Sequence, residues 1–280
     1  MKVKRLRNVS LKKYCTFKVG GRAKYMFFPR NVDEVREALA FAERKNLKTF
    51  VLGNGSNVLF TKRFKGVIIN MRGFDQMRLK GGELACGAGV NLFAFDRFCA
   101  ENELEGLEFT YGIPGSVGGA VCMNAGAFGD EICKFLKKIT VLKNGKLTEK
   151  TDFSFSYRNG PLKEGEILIE AVFELKSGKK EEILAKQIEF FTKKRNSQPY
   201  SLPSAGSVFK RKGDIIPAKL IDEWGLKGLR IGGAMISTEH AGFIVNCGNA
   251  KPNDVLSLIE IVEQIAKDKG YDFEREIKVL

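Results

Sequence analysis

The sequence predicts an α+β fold, and three observations carry that reading. A β-α-β pattern occupies the first 70 residues. Short strands separated by glycine-rich loops fill residues 71–175. Beyond a polar, basic stretch at residues 176–180, amphipathic helices alternate with short strands to the end. The spacing divides the chain into residues 1–72, 73–176 and 177–280.

In the first part, residues 33–46 place Val35, Ala38, Leu39 and Ala42 at helical spacing after the Pro29-Arg30-Asn31 break. Thr49-Phe50-Val51-Leu52 and Val67-Ile68-Ile69-Asn70 read as buried strands. The second part predicts strands at Leu84-Ala85-Cys86, Ile139-Thr140-Val141-Leu142 and residues 167–173, with a helix at 92–101. In the third, residues 181–195 read as a helix with Ile183, Leu184, Ile188 and Phe191 on one face. A short helix at 218–224 is stopped by Gly225. A strand follows at 241–245. The strongest helix runs over 254–269, with Val255, Leu258, Ile259, Val262, Ile265 and Ala266 in one stripe. Glu276-Ile277-Lys278-Val279 closes the chain as a strand. There is no internal repeat or heptad array.

Composition narrows the function classes. Hydrophobic residues at 44% and charged residues at 29% support a packed core and exclude global disorder. No apolar run approaches the ~18 residues of a spanning helix, and the start has no apolar secretory segment. One histidine excludes His-rich metal sites. The cysteines at 15, 86, 99, 122, 133 and 247 form no C-x-x-C, so zinc knuckles and thioredoxin-like motifs are absent and reduced thiols in a cytosolic protein are expected. The net charge of +14 favours anionic partners. Residues 1–30 hold ten Lys or Arg and no acid. Such a run is either an arm for nucleic acid or a solvated face near an anionic ligand. The second reading is favoured, because Thr16-Phe17-Lys18-Val19-Gly20-Gly21 and Tyr25-Met26-Phe27-Phe28-Pro29 look like folded strand and turn.

Two glycine-rich loops point to chemistry. Leu52-Gly53-Asn54-Gly55-Ser56-Asn57 directly follows a predicted strand. Tyr111-Gly112-Ile113-Pro114-Gly115-Ser116-Val117-Gly118-Gly119-Ala120 leads into Val121-Cys122-Met123-Asn124-Ala125-Gly126-Ala127. Loops of this composition turn consecutive amides inward and hold phosphate oxygens. Two of them, far apart in sequence, suit a pyrophosphate gripped from two sides. No P-loop, G-x-G-x-x-G or G-x-S-x-G motif is present. His240 reads as packed and hydrogen-bonded. By spacing alone, residues 198–211 read as a surface loop and Arg158 as a surface ion-pair partner.

These loops, with Phe17-Lys18-Val19-Gly20-Gly21, Ser204-Ala205-Gly206-Ser207-Val208-Phe209-Lys210, Ala218-Lys219-Leu220-Ile221-Asp222 and His240-Ala241-Gly242-Phe243-Ile244-Val245-Asn246, resemble the UDP-N-acetylenolpyruvoylglucosamine reductase family, in its shorter subtype. The match runs in order from about Phe17 to the C-terminus. The resemblance implies a two-part FAD-binding region of vanillyl-alcohol-oxidase type plus a smaller α/β substrate domain, with residues 273–280 reaching the active site. It implies a cytoplasmic, monomeric flavoprotein of peptidoglycan synthesis with tightly held, non-covalent FAD, reduced by NADPH. The substrate implied is UDP-N-acetylglucosamine enolpyruvate; no metal, nucleic acid or membrane is involved.

By motif match, Gly53, Asn54, Gly55, Ser56, Asn57, Gly112, Ile113, Pro114, Gly115, Ser116, Gly118, Gly119, Asn124 and Ala125 hold the cofactor. Arg158 is the cation near the enol carboxylate, Ser207 the proton donor, and Glu276 the C-terminal glutamate, with Glu274 its rival. Arg195, Gln198 and Lys210 grip the UDP-sugar. The chain departs from the family at Arg211, where some members have Asn. Another FAD oxidoreductase of this fold would also use both glycine loops but leaves Ser207 with Lys210 unexplained.

Overall fold

The computed structural model describes residues 3–280, so Lys2, one of the ten early basic residues, lies outside the described residues. The chain packs as two discontinuous units. Met1–Leu6, Tyr25–Asn54 and Gly66–Lys194 form the first; Arg7–Lys24, Gly55–Lys65 and Arg195–Leu280 form the second.

In the first unit, helix α1 (Val32–Arg44) starts where Asn31 accepts a hydrogen bond from the Glu34 amide, and Asp33 and Glu34 suit the positive end of its dipole. It buries Val35, Ala38 and Ala42, three of the four apolar residues at the predicted spacing. Strands Thr49–Leu52 and Phe64–Asn70 run parallel, with Thr49 opposite Val67 and Leu52 opposite Asn70. The sheet order is Lys4–Ser10, Arg22–Phe28, Phe64–Asn70, Thr49–Leu52.

A second, antiparallel sheet runs Lys146–Lys150, Leu136–Lys143, Ile167–Glu174, Glu83–Gly87, Met77–Lys80. Its central strand Ile167–Glu174 is buried on both faces except at Glu170 and Glu174, which explains its largely apolar sequence. Helix α2 (Leu92–Glu101), capped by Asn91, sets Phe95 against Phe173 at 5.3 Å between ring centres. Helix α3 (Val117–Cys122) is capped by Ser116.

Helix α4 (Lys180–Ser197) departs from the apolar stripe. Leu184 and Ile188 are exposed, and the buried positions are Ile183, Gln187 and Lys194. Polar side chains occupy this face because backbone carbonyls satisfy them. Gln187 Nε2 donates to Asp96 O at 2.9 Å, and Lys194 Nζ donates to Phe109 O at 2.6 Å and Tyr111 O at 2.7 Å.

The second unit carries an antiparallel sheet in the order Ser204–Ser207, Phe243–Asn246, Ala234–Ile236, Arg230–Ile231. Helix α5 (Pro217–Glu223) has proline in its first turn and ends at Gly225, whose φ of 70° favours glycine. Helix α6 (Pro252–Asp268) buries Val255, Leu258, Ile259, Val262 and Ala266 in this unit's core. Phe17 and Val19 join that core, so the early basic segment is folded as expected. The C-terminal strand is shorter than predicted: Lys278–Val279 pairs in parallel with Val58–Leu59, and Thr61 N donates to Leu280 O at 2.7 Å.

All six cysteines are free; Cys15, Cys86, Cys99 and Cys133 are buried, while Cys122 is exposed and Cys247 half-buried. Among the described residues no helix is long and apolar enough to cross a membrane, and no cluster of His, Cys, Asp or Glu could hold a metal.

Candidate active site

Each glycine loop begins where a regular element ends. In the first unit, strand Thr49–Leu52 delivers Gly53 and Asn54 to the second loop. A Cβ on Gly53 would stand 2.2 Å from Ser116 Oγ, so any larger residue there displaces the hydroxyl that caps α3. Asn54 Nδ2 donates to Gly115 O at 2.5 Å. The two loops, some sixty residues apart, therefore meet edge to edge in one unit.

The second loop is anchored from behind. Leu92 N donates to Gly115 O at 3.1 Å, Val117 N to Val90 O at 2.8 Å, and Gly118 N to Ala88 O at 2.9 Å. Gly118 permits that approach, since a Cβ would lie 2.7 Å from Ala88 O. Gly112 takes a φ of 83°, and Ile113 N closes the turn on Thr110 O at 2.8 Å. The amides of Gly53, Asn54, Gly115 and Ser116 donate to no group among the described residues. A glycine-rich surface with unengaged amides beside a helix start fits a diphosphate.

Asn124 is buried, and its φ of 43° is left-handed. Its Nδ2 donates to Glu131 Oε2 at 2.9 Å and Ser156 O at 3.0 Å, while Oδ1 accepts from Cys133 N at 3.2 Å. The side chain therefore braces the turn that carries Arg158. Ala125 closes the same corner, with its amide on Ala120 O at 2.8 Å and its carbonyl accepting from Ile132 N. Gly119 donates to the Ser116 cap.

Arg158 sits in a tight Ser156–Asn159 turn with a left-handed φ of 55°, costly for a side-chain-bearing residue and common at functional sites. Its guanidinium lies 4.9 Å from the Tyr157 ring centre, and Nη2 donates to Gly126 O at 3.3 Å. Stacking and a carbonyl thus aim a cation that spacing alone left as a surface residue.

The second unit holds the other candidates. Ser207 ends strand Ser204–Ser207 opposite Phe243, after a register irregularity that contains Gly206 at a φ of 77°. Phe209 bridges Arg275, and Glu276 N donates to Val208 O at 2.7 Å. The Glu276 backbone is thus bonded to the residue next to Ser207. Glu276 O also accepts from Asn57 Nδ2 at 3.0 Å, which ties the end of the first glycine loop to this corner. Arg275 fixes the register by pairing bidentately with Glu263 of α6, at 2.5 and 2.6 Å. Gly55 abuts the chain at Tyr14: a Cβ would lie 2.2 Å from Tyr14 O, and Gly55 O accepts from Thr16 N at 3.1 Å. Ser56 follows it, half-buried.

Lys210 is paired with Glu274, Nζ to Oε1 at 2.6 Å, and Glu274 is exposed, while Glu276 is half-buried and its amide is bonded to Val208 O. Arg195 is exposed and Gln198 half-buried. No hydrogen bond links either to Ser207 or Lys210 among the described residues. His240 is structural: its Nδ1 accepts from Gly242 N at 3.1 Å, its ring packs edge-on against Phe243, and burial pushes it below the usual imidazole range.

Sequence reasoning missed two features. Lys12, Lys13 and Lys18 with Asn246 and Asn249 line an open hollow of about 480 Å³ in the second unit, a use for the early basic run. The first unit buries Asp96, Thr110 and Lys194 behind the second loop. The signal for these was an acid inside the apolar stripe of residues 92–100.

Comparison with known proteins agrees with this division of labour. A family profile described as an FAD binding domain matches residues 23–149, and one described as the UDP-N-acetylenolpyruvoylglucosamine reductase C-terminal domain matches residues 198–280. UDP-N-acetylenolpyruvoylglucosamine reductase of Caldicellulosiruptor bescii is 43% identical over 98% of this chain and 90% of its own. That of Thermotoga maritima is 40% identical over 95% of each chain. The crystal structure of the Thermus caldophilus reductase aligns over 100% of this chain and 99% of its own, with a TM-score of 0.86 and 36% identity. On that likeness along nearly its whole length, the chain belongs to the UDP-N-acetylenolpyruvoylglucosamine reductase family.

Proposed function

We propose that the chain reduces UDP-N-acetylglucosamine enolpyruvate to UDP-N-acetylmuramate, with NADPH as the reductant and FAD as the carrier. The observation that carries the cofactor part is the paired cradle of Gly53-Asn54 and Gly115-Ser116, whose amides are unengaged. Family membership supports the substrate. FAD held there would supply the hydride chemistry, relaying hydride from NADPH to the enolpyruvyl double bond.

The protein's own residues supply charge, a proton and orientation. Hydride arrives at the methylene carbon, and negative charge develops at the carbon bearing the carboxylate. Arg158 balances that charge. Ser207 donates its hydroxyl proton to the same carbon; a serine is a weak acid, but an enolate-like carbanion is a strong base. Glu276 supports the polarised enol. Arg195, Gln198 and Lys210 hold the UDP-sugar, and the net charge of +14 suits three polyanionic ligands. A cytoplasmic, monomeric protein belongs to the same reading.

The test is spectroscopic. Purified protein is expected to be yellow or to take up FAD, to bleach with NADPH in the absence of oxygen, and to recolour on addition of the enolpyruvyl UDP-sugar. Colourless protein that takes up no FAD overturns the reading. Bleached protein that recolours only with some other acceptor overturns the substrate.

A further inference from the structure

Behind the second glycine loop lies a buried polar cluster that the chemistry above does not use. Asp96, on α2, is 1% exposed. Its Oδ1 is hydrogen-bonded to Thr110 Oγ1, and the same hydroxyl lies 2.8 Å from Leu107 O. A hydroxyl has one hydrogen, so Thr110 cannot donate to both oxygens. Both contacts are satisfied when Asp96 carries the proton: the acid donates to Thr110, and Thr110 donates to Leu107 O. Asp96 Oδ2 is buried without a hydrogen bond, a placement that an ionised carboxylate tolerates poorly.

The cluster touches the loop directly. Lys194 grips the carbonyls of Phe109 and Tyr111 on either side of Thr110, and Ile113 N is bonded to Thr110 O. Gln187 holds Asp96 O. The run 109–111 that launches Gly112 is therefore pinned from α2 by an acid and from α4 by a lysine.

We propose that Asp96 is held as the neutral acid and, through Thr110 with Lys194, is a positioning residue for the 112–115 loop, so that ionising it loosens the grip on the flavin diphosphate. This rests on the flavin reading above. Burial pushes Asp96 up to about 8 and Lys194 down to about 8. Below that pH the acid is neutral and the lysine charged; above it the acid ionises beside a bare buried oxygen. The other titratable groups facing the cluster are Glu108, Lys186, Cys99 and Cys86. Glu108 accepts from Gly106 N at 3.1 Å and lies 3.8 Å from Lys186 Nζ. Burial pushes both thiols up, so they stay neutral through this range.

The experiment measures the FAD dissociation constant of wild type, Asp96→Asn and Lys194→Met by flavin fluorescence, from about pH 6 to about pH 9.5. Wild-type affinity is expected to be level below about pH 8 and to fall by about tenfold or more above it. Asp96→Asn, which keeps a neutral donor to Thr110, should match wild type within about twofold at pH 7 and stay level throughout. Lys194→Met should weaken FAD about tenfold at pH 7 with unchanged circular dichroism. A measurement that needs no variant is the infrared carbonyl stretch of a protonated carboxylic acid in wild type, lost as pH passes about 8.

Level wild-type affinity, no such infrared band, or pH dependence that survives in Asp96→Asn would each overturn the inference; the last would assign the titration to Lys194. Wild type that binds no FAD at pH 7 overturns the flavin reading, and this inference with it. Wild type that binds FAD while Asp96→Asn, correctly folded, does not overturns this inference alone.

Discussion

Lys210 Nζ lies 2.6 Å from Glu274 Oε1, while Glu276, two residues further on, is bonded through its amide to Val208. Residues 274 and 276 flank Arg275, which bridges Phe209, and they meet different partners. Glu274 neutralises a lysine proposed to meet an anionic substrate. Replacing Glu274 by Gln frees that lysine. Steady-state kinetics should then show the KM for the UDP-sugar falling by about two- to fivefold, the size of an exposed ion pair, with kcat unchanged. Glu276→Gln should do the reverse, lowering kcat by about a hundredfold with little change in KM. If Glu274→Gln is the variant that lowers kcat, the assignment of the two carboxylates is inverted.

Ser207→Ala removes the proposed proton donor and little else, because the residue is half-buried at a strand end. Anaerobic stopped-flow should show NADPH bleaching the flavin at the wild-type rate. Reoxidation by the enolpyruvyl UDP-sugar should slow by about a hundredfold or more. Equal slowing of both half-reactions would point to a misplaced flavin.

Gly53→Ala tests the cradle. The new methyl would stand 2.2 Å from Ser116 Oγ, so the hydroxyl must leave its cap on α3 or the two loops must part. Flavin retention through purification should drop, with FAD affinity lower by about tenfold or more. The unfolding midpoint of the apoprotein should move little, since Gly53 lies outside both hydrophobic cores. Undiminished affinity would mean that the diphosphate sits elsewhere.

Asp254 offers a pH test within the second unit. Its Oδ2 accepts from Lys251 N at 2.9 Å and Gly233 N at 3.1 Å, and these amides hold the carboxyl below its ordinary range. A folded value below the unfolded one means that its stabilisation is complete above about pH 4 and is lost as pH falls through the folded value. Asp254→Asn should lower stability by about 1 kcal/mol at pH 7, read from urea unfolding. The gap from wild type should close on acidification. A gap constant down to low pH would assign the loss to packing.

The helices of residues 32–44, 92–101 and 252–268 were legible because each carries an apolar stripe and clear end signals. The glycine loops were legible as loops because glycine and serine cluster in them, in the first at the end of a predicted strand. The apolar spacing of residues 183, 184, 188 and 191 misleads. Helix α4 buries Gln187 and Lys194, whose polar ends find carbonyls that lie between 83 and 91 positions away along the chain. No local pattern encodes a partner at that distance.

By itself, the sequence determined the α+β class, the order of the main elements, the two glycine-rich loops and the family likeness, since these rest on periodicity, turn chemistry and short motifs. Only the tertiary structure decided that Asn54 closes on Gly115, that Asn124 braces the Arg158 turn, and that Glu274 pairs with Lys210. It also decided that Asp96 is buried and hydrogen-bonded to Thr110. The reason is physical: burial and hydrogen bonding are set by groups distant along the chain, and they decide whether a polar side chain acts as a brace, an ion-pair partner or a held proton.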